Sequence, residues 1–106
     1  MAKYLVEARY TPEGAKGLAR EGGSARRTAV SKMVQAAGGK VEAFYFAFGE
    51  VDVYTIIELP DDVSAAAVAL TVSQSGAAKL KTIALLSPEE IDKASKKSVE
   101  YRAPGR

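Results

Sequence analysis

Residues 44 to 58, Phe44-Tyr-Phe-Ala-Phe-Gly-Glu-Val-Asp-Val-Tyr-Thr-Ile-Ile-Glu58, read as two β-strands folded back through a tight turn. With Gly49 and Glu50 as the two loop residues, a type II′ turn with glycine first fits the hairpin. Phe48 then pairs with Val51, Ala47 with Asp52, Tyr45 with Tyr54 and Ala43 with Ile56, and directly opposed residues share a face. One face collects Phe44, Phe46, Phe48, Val51, Val53, Thr55 and Ile57, the pattern of a core. The other collects Val41, Tyr45, Asp52, Tyr54, Ile56 and Glu58. A slip of one residue would bury the carboxylates, so the hydrophobic pattern specifies the register.

Working outward, a first strand is expected from Lys3 to Tyr10, alternating in period two. Thr11 and Pro12 start a helix as N-cap and first helical residue. Gly22-Gly23 interrupts it, and Ser24 can cap a second segment whose stripe is Ala25, Ala29, Val30, Met33, Val34 and Ala37. Gly38-Gly39 ends that segment. Strands follow from Lys40 to Phe48 and from Val51 to Leu59. Pro60-Asp61-Asp62 opens a helix from about Val63 to Ser75, closed by Gly76. It is apolar nearly all round, which predicts burial on more than one side. A fourth strand is expected over Lys79 to Leu86. Ser87-Pro88-Glu89-Glu90 carries a capping box around Pro88 and begins a last helix that runs to about Lys97.

This order predicts an α+β, ferredoxin-like βαββαβ domain over residues 1–97, with an extra C-terminal helix and a tail over 98–106. Its sheet is antiparallel and four-stranded, with helices on one face. Val6, Ala8, Leu80, Thr82, Ala84 and Leu86 suit the covered face. Leu5, Glu7, Arg9, Lys79, Lys81, Ile83 and Leu85 suit the open one. The open face is then too apolar for water and too charged for a sealed core, which points to two sheets packing face to face in a homodimer or higher homo-oligomer.

Composition sets the outer limits. With 106 residues the chain is one domain. A net charge of +2 gives no wholesale pull toward nucleic acid or an anionic membrane. The chain contains no Cys, His, Trp or Asn. A Cys/His zinc site, histidine-ligated haem and a Cys–His or Ser–His nucleophile are therefore excluded, and no metal or cofactor is expected. Acid–base chemistry near neutral pH would need a perturbed Glu, Asp, Lys or Tyr. The first residues enter a strand pattern directly, and no apolar run approaches the roughly 20 residues of a membrane span, so a cytoplasmic protein is expected.

The segments Tyr10-Thr-Pro-Glu-Gly14, Glu21-Gly-Gly-Ser24, Phe44-Tyr-Phe-Ala-Phe-Gly49 and Ser87-Pro-Glu-Glu90 resemble the bacterial GYD domain family. The likeness extends from Tyr4 through the Tyr101-Arg102 tail. Of the Gly, Tyr and Asp in the family's name, Gly49 and Asp52 stand here, and Val51 takes the tyrosine's place facing the core. The family is similar in fold to dimeric α/β barrels. The resemblance therefore implies a dimer and leaves the activity open.

Two candidate sites emerge. Asp52, Tyr54 and Glu58 on the third strand, with Tyr45 opposite and Arg9 nearby, form a ligand-binding or catalytic cluster in a dimer cleft. The favoured reading is that these groups are interfacial ion pairs and tyrosine hydrogen bonds that set the dimer geometry, with Asp52 also able to steady the hairpin. Gly22, Gly23, Ser24 and Arg26, at a helix start, suit a weak anion site. They match neither phosphate-loop nor dinucleotide fingerprints, and a plain helix break explains them as well. RNA-recognition domains share the topology, but Asp52 and Glu58 on the open face repel phosphate. The expectation is a small-molecule-binding homodimer, either a cofactor-free enzyme or a binding protein, with a structural or regulatory assembly module as the alternative.

Overall fold

The computed structural model describes residues 1–106. Its elements are β1 (Ala2–Tyr10), α1 (Pro12–Glu21), α2 (Gly23–Ala36), β2 (Lys40–Phe46), β3 (Val53–Leu59), α3 (Asp62–Gln74), β4 (Ala78–Leu85) and α4 (Pro88–Ser95). The four strands form one antiparallel sheet in the order β2-β3-β1-β4. That is the ferredoxin-like arrangement the element order predicts. Helix α2 lies against β2 and α3 against β4, so the central strands β1 and β3 run beneath the gap between the two helices.

Local chemistry sets the element ends. The Thr11 hydroxyl caps α1 by accepting from the Gly14 N–H at 3.2 Å, and Asp61 caps α3 by accepting from the Ser64 N–H at 2.8 Å. At α4 both halves of the expected capping box are made: Glu90 N–H to the Ser87 hydroxyl and Ser87 N–H to the Glu90 carboxylate. The predicted cap of α2 differs. Gly22, at φ 85°, occupies the cap position and makes no side-chain bond, which leaves Ser24 inside the helix. Only glycine takes that backbone angle without strain, so the chain turns one residue pair earlier than serine capping would require.

The core sits at one end of the sheet: Tyr4, Val6, Val34, Ile57, Leu59, Ala65 and Val68. Leu59 is wholly enclosed, which contributes about 1.5–3 kcal/mol by burial alone. Tyr4 brings its hydroxyl into this cluster and donates it to Asp62 Oδ1 at 2.5 Å. That bond, more than burial, pushes the phenol up to about 12.

The hairpin departs from the predicted turn. Tyr45 pairs with Tyr54 and Ala43 with Ile56 as expected, and Ala47 N–H reaches the Asp52 carbonyl at 2.9 Å. Beyond that the ladder stops. The Asp52 N–H instead bonds the Ala8 carbonyl at 2.9 Å, and its carboxylate accepts from the Tyr10 N–H at 2.8 Å. The leading end of β3 is therefore tied to β1, and the chain between Ala47 and Asp52 opens into a wider loop. Gly49, at φ 154°, lies far from the type II′ value. Val51 is buried as expected, whereas Phe48 is fully exposed and Phe46 half-exposed. Only Phe44 of the three phenylalanines is turned substantially inward, with Phe46 meeting it edge to face at 5.3 Å.

Three further assignments are corrected. A bulge in β2 between Val41 and Ala43 shifts the register, so Val41 pairs with Ile57 and packs on the core rather than on the open face. Helix α3 buries only Ala65 and Val68; Val63 and Leu70 face outward, because no element of this chain covers the helix's outer side. On the edge strand β4, Leu80 is half-buried, but Thr82, Ala84 and Leu86 are exposed. Helix α4 buries none of its residues. With the tail it extends the molecule, whose radius of gyration is 16.9 Å, against about 13 Å for a compact chain of this length.

Candidate functional site: an open sheet face and a hollow beneath the helices

Strand register lays out the open face row by row. Ala43, Ile56, Leu5 and Ile83 form an apolar row that crosses all four strands. On one side of it lie Tyr45, Tyr54, Glu7 and Lys81. On the other lie Lys40, Glu58, Lys3 and Leu85, with the bulged Glu42 beside them. The charges here are paired: Lys3 Nζ to Glu42 Oε1 at 2.7 Å and Lys40 Nζ to Glu58 Oε2 at 3.2 Å. The hydrogen bond to Glu42 raises the Lys3 pKa.

The predicted cluster of Arg9, Tyr45, Asp52, Tyr54 and Glu58 is only partly assembled. Tyr45 and Tyr54 stand directly opposite each other, both exposed. Glu58 lies four residues along the strand from Tyr54, about 13 Å away at strand rise, and it is engaged by Lys40. Arg9 reaches Glu50 at 3.8 Å, near the loop. Asp52 holds the Tyr10 backbone.

Opposite, on the helix-covered face, the packed core gives way to a cavity of about 330 Å³ between α2, α3 and the sheet. Fifteen of its 19 lining residues are hydrophobic, and Arg26 is the one charged residue among them. Arg26 Nη1 reaches Glu21 at 3.4 Å, while its Nε is buried without a hydrogen-bond partner. Tyr10 also lines the cavity. Burial pushes its phenol up, and the neighbouring Arg26 opposes that rise. The hydroxyls on the wall are already spent: Thr55 donates to Ala43 O at 2.7 Å, Thr71 to Ala67 O at 2.8 Å and Ser75 to Val72 O at 2.6 Å.

The proposed anion site at Gly22, Gly23, Ser24 and Arg26 thus resolves differently by residue. Ser24 is exposed, and Gly23 packs near Phe46. Arg26 turns toward the cavity and carries Glu21 beside it. Sequence reasoning missed Tyr10 and the hollow itself. One signal was present: Arg26 lies four residues before Val30 and eight before Val34, which places a charge on the inward stripe of α2.

A family model for the GYD domain matches residues 4–95. The chain belongs to the GYD domain family. No curated protein and no solved structure matches it significantly. In this GYD domain Asp52 anchors the leading end of β3 to β1 through Ala8 and Tyr10, and the neighbouring Val51 is buried. No helix is long and apolar enough to cross a membrane.

Proposed function

We propose that this GYD domain acts in the cytoplasm as a homodimer whose two sheets meet through their open faces, and that it holds a small, largely apolar molecule without transforming it. The observation that carries the dimer is the row Ala43, Ile56, Leu5 and Ile83, which crosses the open face from edge to edge. Each flanking row carries both signs of charge, so a two-fold related copy can set cation against carboxylate. Four strands at about 4.8 Å spacing and about 23 Å long give a planar patch of about 450 Å². A stable interface needs about 800 Å² per partner. The exposed arm with Ile91, Val99 and Tyr101 offers the remainder.

The same geometry favours holding over catalysis. Asp52 and Glu58, the carboxylates best placed by sequence to act as bases, are occupied by the Tyr10 N–H and by Lys40. The cavity beneath the helices, at the lower end of ligand-pocket volumes, is the room for a small molecule. Light scattering tests the dimer. A mass of two chains at micromolar concentration is expected, and a single-chain mass there refutes it.

A further inference from the structure

We infer that the cavity between α2, α3 and the sheet is a binding site for a small amphipathic monocarboxylic acid, its carboxylate on Arg26 and Tyr10 and its apolar body among Val30, Phe44, Val72 and Leu80. This rests on the small-molecule part of the function proposed above and not on the dimer, because the cavity lies on the helix-covered side of the sheet, away from the open face.

The ligand's chemistry follows from what the walls lack. Fifteen of 19 lining residues are hydrophobic and none is acidic, so the body of the ligand is apolar. A guanidinium with a buried Nε and no partner for it is costly to desolvate. A carboxylate oxygen supplies the missing acceptor, and the planar fork of arginine matches a carboxylate in two parallel bonds. Glu21 already holds Nη1 of this cation at 3.4 Å, so a ligand carboxylate would take the unpartnered Nε edge and share the guanidinium with Glu21; a phosphate dianion would bring still more uncompensated charge into an apolar hollow. With Thr55, Thr71 and Ser75 donating to backbone carbonyls, Tyr10 is the hydroxyl left to donate a second hydrogen bond. The volume of about 330 Å³, equal to about eleven water molecules at liquid density, limits the ligand to a short chain or a single ring.

The test is titration of the full-length protein with octanoate, with octan-1-ol and inorganic phosphate in parallel, followed by calorimetry and amide chemical shifts. Octanoate is expected to bind more tightly than octanol and to shift the amides of Ala29, Val30, Thr71 and Ser75. Phosphate is expected to leave them in place. Arg26→Gln should weaken octanoate roughly ten- to hundredfold and leave octanol unchanged, as loss of a charge-assisted hydrogen bond requires. Tyr10→Phe should weaken it several-fold. Should Arg26→Gln unfold, Ala29→Leu, one turn further along the same helix, fills the hollow and is expected to abolish binding of both probes. Equal affinities for octanoate and octanol, an unaltered Arg26→Gln, or shifts confined to the open face would each overturn the assignment. Octanoate binding retained in a monomeric Ile56→Glu variant upholds this site even where the dimer fails.

Discussion

Replacing Ile56 by glutamate puts a carboxylate at the middle of the one apolar row that crosses the open face, between Ala43 on β2 and Leu5 on β1. In a two-fold dimer the substitution occurs twice. Each lost isoleucine removes about 1.5–3 kcal/mol of burial, so the pair costs about 3–6 kcal/mol. That raises the dissociation constant by roughly a hundredfold to ten-thousandfold. Two carboxylates desolvated without partners add to the loss. The fold itself should survive, because Ile56 points away from the core of Tyr4, Val34 and Leu59. Sedimentation equilibrium at about 10 μM should find the wild type as two chains and Ile56→Glu as one, with the same far-ultraviolet circular dichroism. An Ile56→Glu protein that remains dimeric with unchanged affinity would refute a sheet-to-sheet interface, whatever other surface joins the copies.

Other outcomes follow from single contacts. The Tyr4 phenol ionises near 10 in the unfolded chain and near 12 in the fold. The folded state therefore keeps a proton that the unfolded chain loses between those values. Its contribution to stability is intact below pH 10 and declines as pH rises toward 12, and Tyr4→Phe should flatten that slope in alkaline denaturation. At Gly39 a Cβ would fall 1.8 Å from the Glu58 carbonyl oxygen. Gly39→Ala must push β2 from β3 and should cost about 3 kcal/mol, lowering the melting temperature by about 12 °C or more; a shift under about 2 °C contradicts the contact. Ser87→Ala removes the acceptor for the Glu90 N–H and should destabilise the start of α4 by about 1 kcal/mol. Since α4 buries nothing, the loss should appear as roughly fivefold faster amide exchange in that helix, with the global midpoint unmoved.

Much of this molecule is legible one residue at a time. Period-two alternation in β1, the Thr11, Asp61 and Ser87 caps, and the pairing of Tyr45 with Tyr54 each depend on neighbours within a few positions or across one hairpin. The backbone bonds and caps that define them are local, so these elements, their order and the pairing within the hairpin are legible in the chain alone. The Phe48 assignment failed because the turn was settled from a distance. Asp52 binds β1 through Ala8 and Tyr10, and no pattern within residues 44–58 records that competition.

The same distinction divides the functional picture. Sequence determined which residues share the open face, except Val41, which the bulge in β2 turns toward the core. Only the tertiary structure decided that Glu58 and Asp52 are engaged, because Lys40 and Tyr10 reach them through strand pairings that no short motif encodes. It also decided where the empty space lies. A cavity is a difference between the volume that helices and sheet enclose and the volume their side chains fill, so it belongs to no residue and has no sequence pattern of its own. Arg26 on the inner stripe of α2 was its single trace in the chain, and only the packing around it decides that this side chain borders the hollow with its Nε unpartnered.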